Sequence, residues 1–240
     1  MSFWTVLFLL TLAAEIVFLP CYLFAPFCRG GKRPIISKCI CAALFILIGV
    51  FAMLASENYR PYAPLMLPGL FFSFWGDYFL GVAMKGKIFV AGILSFTSAH
   101  IFYIIAYLKV LAEKVPDRPF VNIGEIIFFI ALLAVLGVSS ILFKLEMGKL
   151  KVLIFIYSAV IMAMLVKAIS LSRVLFASGE QNQTAAALLI GGGAVLFVVS
   201  DAILSLILFG GKDTKKMTTL NLSTYFSAQI LLAASIYFVR

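Results

Sequence analysis

Eight apolar runs of about twenty residues divide this chain almost end to end, at roughly 3–24, 38–55, 61–82, 88–108, 123–143, 150–172, 184–209 and 219–239. Each is long enough to cross a hydrocarbon core about 30 Å thick as a helix. The breaks between them concentrate charge, proline and glycine, as in Arg29-Gly30-Gly31-Lys32-Arg33-Pro34, Glu57 to Pro61, Lys85-Gly86-Lys87 and Gly210 to Lys216. Such breaks end helices or turn them. In lipid an open chain satisfies its backbone only by helix formation. The fold expected is therefore an all-α integral membrane bundle of eight transmembrane helices, one domain over residues 1–240. Composition excludes the soluble alternative: 64% of the residues are hydrophobic and 12% charged, against about 45–50% and 25% in soluble domains. The N-terminus lacks a basic n-region, and its apolar run is too long for a signal peptide, so it reads as a retained first helix.

The net charge of +9 would suggest nucleic acid in a soluble protein. Here the basic residues lie in short loops, where anionic lipid headgroups are the natural partners and nucleic acid is not. Twelve Lys and Arg fall in the loops 1–2, 3–4, 5–6 and 7–8 or at their edges, against six on the other side. The positive-inside rule puts the twelve in the cytoplasm and both termini outside. The cysteines Cys21, Cys28, Cys39 and Cys41 form no CxxC pair, and there is one histidine. Structural zinc needs four such ligands, so no metal site is expected and the thiols read as free. Gly191-Gly192-Gly193 has no following Lys-Ser or Lys-Thr and lies inside an apolar run. It is a helix-packing feature rather than a phosphate loop.

Polar groups inside lipid are costly and mark functional sites. Asp77 lies in span 3, with Gly69, Ser73 and Gly81 on its helical face. His100 lies mid-span 4 with Tyr103 one turn away, and Asp201 lies in span 7. Asn221, Tyr225 and Gln229 form an i, i+4, i+8 stripe in span 8. These groups fall at neighbouring depths, mostly in the cytoplasmic half, as the walls of one cavity would. Glu15 in span 1 is a further buried acid, left open between pairing with a lysine and facing an internal water. A faint repeat relates Trp75-Gly76-Asp77 to Val199-Ser200-Asp201. It reads as two parallel four-helix halves.

Gly76-Asp77, Phe89-Val90-Ala91-Gly92 leading to His100-Ile101-Phe102-Tyr103, Tyr157, Ser200-Asp201, and Ser223-Thr224-Tyr225-Phe226-Ser227-Ala228-Gln229, with Lys38-Cys39 and Lys167, together resemble the lysoplasmalogenase family, also called YhhN-like membrane proteins. The resemblance runs through nearly the whole chain; Glu15 has no place in it. It implies hydrolysis of the vinyl-ether bond of lysoplasmalogens to a fatty aldehyde and a glycerophosphocholine or glycerophosphoethanolamine. The home would be a bacterial inner membrane or a eukaryotic endomembrane. That chemistry needs a carboxylic acid that keeps its proton in an apolar setting and a carboxylate that stabilises an oxocarbenium-like cation and activates water, the division of labour of glycosidases. Asp77 and Asp201 are the candidates, with His100 to orient or deprotonate water. Tyr103, Tyr157, Tyr225, Gln229 and Asn221 are candidate substrate contacts, and Lys38 a candidate for the phosphate. No cofactor is required; the partners are a lysophospholipid substrate and membrane lipids. The rival reading is a proton-coupled carrier using the same acids as a relay. A zinc-dependent lipid amidase is disfavoured by the lone histidine.

Overall fold

The computed structural model describes residues 2–24, 35–56 and 61–239. The basic residues Arg29, Lys32, Arg33, Arg60 and Arg240, the thiol of Cys28, and the break over Glu57 to Arg60 lie outside them. Eight α-helices and one 3-10 turn make up the described chain: α1 (Phe3–Phe24), α2 (Ile35–Ser56), α3 (Tyr62–Val82), α4 (Gly86–Lys114), α5 (Ile123–Leu142), α6 (Lys151–Ala177), α7 (Gln181–Phe209) and α8 (Lys215–Phe238). α1 to α7 are long and apolar enough to cross a membrane, and the protein is a multi-pass membrane protein. The apolar runs mark the helices closely, but α4, α6 and α8 overrun them. Lys109, Glu113 and Lys114 still belong to α4, Arg173 to α6, and Lys215 and Lys216 to α8. Backbone hydrogen bonding carries a helix on past the last apolar residue. A chain under a bilayer's constraint changes side-chain polarity before it changes backbone conformation.

The surface is inverted relative to a soluble protein. Phe3, Leu10, Val17, Ile36, Ile127, Ile141 and Val152 are exposed, where lipid solvates them. α3, α4, α6, α7 and α8 close a ring through the neighbour pairs α3–α4, α4–α6, α6–α7, α7–α8 and α8–α3, with α2 packed against both α3 and α8. α1 lies on α2 and α8, outside the ring, and among the described helices α5 packs on α6 only. The first four and the last four helices pair alike in sequence: α1 with α2 as α5 with α6, α2 with α3 as α6 with α7, α3 with α4 as α7 with α8. α8 is the least apolar helix because it faces protein rather than lipid: Asn221, Tyr225, Gln229 and Ser235 are all buried.

Close packing of α3 on α4 depends on two glycines. A Cβ on Gly69 would collide with the Tyr103 ring, and one on Gly76 would lie 2.5 Å from the Phe96 ring. Gly76→Ala is expected to cost about 1–3 kcal/mol, because Phe96 is held between Tyr225 and Phe197 and has little room to move. Thermal unfolding in detergent checks this. The chain turns from α3 into α4 within three residues at Gly86, whose φ of +72° is open to glycine and strained for other residues.

α5 is anchored at its N-terminus. The Asn122 side chain accepts from the Glu125 backbone N–H at 2.9 Å, and the Asn122 N–H donates to Glu125 Oε2 at 3.1 Å, a reciprocal capping box. Glu125 is also the one buried residue of α5. It receives Lys167 Nζ at 2.8 Å, Arg118 at 2.9 Å, and the Ser170 hydroxyl. Lys167 further donates to the Phe120 carbonyl at 2.6 Å. Two cations thus converge on one buried acid. Glu125→Gln is expected to cost about 3 kcal/mol or more, with accelerated backbone exchange in the first turns of α5 as the readout.

Candidate functional site

The elements around Asp77 give a deeply buried carboxyl group partners on both oxygens. Asp77 is 1% exposed. Lys38, one turn into α2, reaches its Oδ1 at 2.9 Å and its own carbonyl at 3.3 Å. The Tyr225 hydroxyl donates to Oδ2 at 2.6 Å, the short distance of a charge-assisted hydrogen bond. Gln229 donates to the Tyr225 oxygen at 3.2 Å, and Tyr103 donates to Gln229 Oε1 at 3.0 Å. Ser73 closes the series 3.4 Å from the Tyr103 hydroxyl. α2, α3, α4 and α8 are therefore joined by one buried polar network. Both carboxylate oxygens of Asp77 are engaged.

Asp201 is placed differently. It receives one hydrogen bond, from the Tyr157 hydroxyl of α6 to Oδ2 at 2.6 Å. The described ion pairs are Lys38–Asp77, Arg118–Glu125 and Lys167–Glu125, so no cation faces Asp201 among the described residues. It is also only half-buried, because it opens on a narrow cleft of about 90 Å³. The cleft walls come from α3, α4, α5, α6 and α7 and are almost entirely apolar: Leu80, Phe89, Ile93, Leu136, Ile154, Ile161, Leu204 and Leu208. Tyr157, Ser158, Ser205 and Asp201 are the polar exceptions.

His100 and two phenylalanines lie between the acids. The imidazole is fully buried, and neither ring nitrogen has a hydrogen-bond partner among the described residues. It packs edge-on against Phe197, centroids 4.5 Å apart, and its centroid lies 6.0 Å from that of Tyr157. Phe197 in turn meets Tyr225 at 5.5 Å and Phe96 at 6.5 Å. A continuous path of contacts thus runs from Asp77 through Tyr225, Phe197, His100 and Tyr157 to Asp201. Among the described residues no hydrogen bond joins the two carboxyls directly.

Of the residues expected to meet, Asp77, Tyr225, Gln229, Tyr103 and Lys38 share one network, and Asp201, Tyr157 and His100 adjoin it. Lys38, also a candidate for the phosphate, is paired with Asp77. Asn221 stands apart: its amide donates to the Ser200 carbonyl at 2.8 Å and hydroxyl at 2.9 Å, and Ser200 returns a bond to the Asn221 carbonyl. That is a clasp between α7 and α8. Glu15 is fully buried next to Cys41. No lysine pairs with it, and its carboxylate oxygens have no hydrogen-bond partner among the described residues. Cys21, Cys39 and Cys41 are free thiols. Phe96 and Phe197 share helical faces with His100 and Asp201 in the sequence, and that spacing alone gives them no role beyond packing. Glu125 is the site-like acid that the sequence reading leaves out, although the Asn122-x-x-Glu125 capping pattern marks it.

Chemically, the arrangement offers, among the described residues, a carboxyl group paired with a lysine, a second carboxyl group in an apolar cleft without an ion pair, and a buried imidazole whose nitrogens have no hydrogen-bond partner. No solved structure matches the chain. A family model matches over residues 34–236, from just before α2 into the last turn of α8 and so across every residue of the site. The chain belongs to the YhhN family, the family of lysoplasmalogenase-like proteins.

Proposed function

We propose that this protein is a lysoplasmalogenase-type hydrolase that cleaves the vinyl-ether bond of a 1-alkenyl lysophospholipid carrying a choline or ethanolamine headgroup. The observation that carries the reading is the asymmetry of the two acids. A charge in hydrocarbon needs a partner. Asp77 has Lys38, whereas Asp201 has one tyrosine hydroxyl and opens on the cleft. Asp201 is then the acid that holds a proton, and Asp77 is the fixed carboxylate.

Asp201 delivers its proton to the β-carbon of the alkenyl chain, which leaves positive charge shared between the α-carbon and the ether oxygen. The negative end of the Asp77 network stabilises that charge from a preorganised position. Water adds to the α-carbon and loses a proton towards His100, whose free nitrogens suit it to accept. The hemiacetal collapses: its hydroxyl gives up a proton as the carbon–oxygen bond to glycerol breaks, the glycerol oxygen takes up a proton in its place, and the aldehyde leaves. The proton from water makes good the one Asp201 spent. Tyr157 keeps the Asp201 carboxyl in place throughout. The steps are proton transfers and hydration, with no redox change and no cofactor.

In this reading α8 is an eighth span, the shared neighbour pattern reflects two parallel four-helix halves, and the lysine-rich end of the bundle faces the cytoplasm with both termini outside. Reporter fusions at residue 240 should report a non-cytoplasmic C-terminus; a cytoplasmic one overturns that orientation. For the reaction, purified protein with a 1-alkenyl lysophospholipid should release aldehyde, with a chelator present and no metal added. The 1-alkyl analogue, which has no double bond to protonate, should be left intact. Absence of aldehyde at every chain length, together with proton-coupled solute flux in vesicles, would replace the enzyme by a carrier.

A further inference from the structure

The cleft beside Asp201 reaches beyond the catalytic ring. Leu136 belongs to α5, which among the described helices packs on α6 only and lies outside the ring, yet it lines the same space as Asp201 and Phe96. The cleft therefore connects the candidate proton donor in the interior to a lipid-facing helix. α5 leaves this passage because its only buried residue, Glu125, sits at the opposite end of the helix from the cleft. At the cleft end, the chain after α5 is tied to the end of α7 instead. The Glu146 N–H donates to the Phe209 carbonyl at 2.9 Å, and Lys212 lies over the Phe143 ring at 5.3 Å. α5 is thus pinned at both ends and unpacked between them on the side of α7.

The rim carries the opposite character. On three helices the outermost apolar wall residue lies about one turn from an exposed lysine: Phe89 from Lys85, Ile154 from Lys151, and Phe209 from Lys212. From Phe209 to Asp201 is about 12 Å along α7. An ionic headgroup at the rim and an apolar wall below it match a single-chain amphiphile with a phosphate. Lysines of this kind keep their ammonium groups in the headgroup layer while their stems lie along apolar surface.

We infer that the cleft between α4, α5, α6 and α7 is the binding site for the hydrocarbon chain of a single-chain anionic-phosphate lipid, which enters from the bilayer between α5 and α7 with its phosphate on the lysine rim. The inference rests on the lysolipid reading of the site and adds the route and the residues that hold the chain. The probe is a 1-O-alkyl lysophospholipid with a diazirine in mid-chain, which the proposed reaction cannot consume. Photolysis with purified wild-type protein in lipid nanodiscs should label Leu136, Met162 and the Leu204–Leu208 segment, and excess unlabelled lysolipid should compete the labelling away. Ser205→Phe and, separately, Ser158→Phe fill the cleft and should reduce that labelling roughly tenfold or more. Competed labelling of the cleft without aldehyde release would support the chain site while sinking the hydrolase. Aldehyde release without competed labelling of these residues would overturn the chain site and leave the hydrolase standing. Labelling spread over the lipid-facing residues of α1 and α5 and unaffected by competitor or by both variants would overturn it as well.

Discussion

Asp201→Asn should lower kcat on an alkenyl lysolipid by about a thousandfold or more, within the range that a positioned general acid contributes, and leave thermal stability nearly unchanged. The amide matches the carboxyl in volume and still accepts from Tyr157, but it has no proton of comparable acidity to give to carbon. No ion pair is lost, because none is made at Asp201 among the described residues. Loss of turnover with an unaltered melting profile separates a chemical role from a structural one. Retention of full activity would remove Asp201 from the chemistry, and the proposed protonation with it.

The second large effect is expected at Lys38, and it runs the other way round. Lys38→Met should destabilise the protein by about 3–5 kcal/mol, the cost of leaving a buried charge without its partner. Asp77 is 1% exposed, and its other contact, Tyr225, supplies a hydrogen bond but no charge. Lys38→Met combined with Asp77→Asn should recover most of that stability, since the pair then leaves nothing uncompensated. The double variant should nevertheless remain inactive, because the fixed carboxylate is gone. Thermal unfolding of the four proteins in one detergent gives the coupling as a double-mutant cycle. A Lys38→Met protein as stable as wild type would show that Asp77 carries no charge in the folded state, and the assignment of roles to the two acids would reverse.

The helices and the interior-facing polar residues were legible because hydrocarbon is an unforgiving solvent: apolar length marks a span, and an acid inside one stands out. Asp77, His100, Asp201, Tyr225 and Gln229 could be picked out for that reason alone. Their pairing could not. Lys38 lies 39 residues before Asp77, and at the start of a span a lysine reads as an interfacial anchor. Only the packing of α2 against α3 turns it inward. Asn221 shared the helical stripe of Tyr225 and Gln229, yet it ends in a backbone clasp, because one turn closer to the helix start it meets α7 instead of α3. The asymmetry between the acids was hidden for the same reason, since Ser200-Asp201 and Gly76-Asp77 look alike along the chain. The role of Phe197 as a partition between the two polar groups also depends on three helices at once.

The most direct measurement is turnover of the alkenyl lysolipid in deuterated water, with the aldehyde trapped as it forms by reduction to the alcohol. Proton delivery from Asp201 to the β-carbon requires one deuterium on the carbon adjacent to the former carbonyl, beyond what a control aldehyde acquires by exchange. Asp201→Asn should yield no such product above background. An aldehyde released by wild-type protein without that deuterium would contradict protonation at carbon and the account built on it.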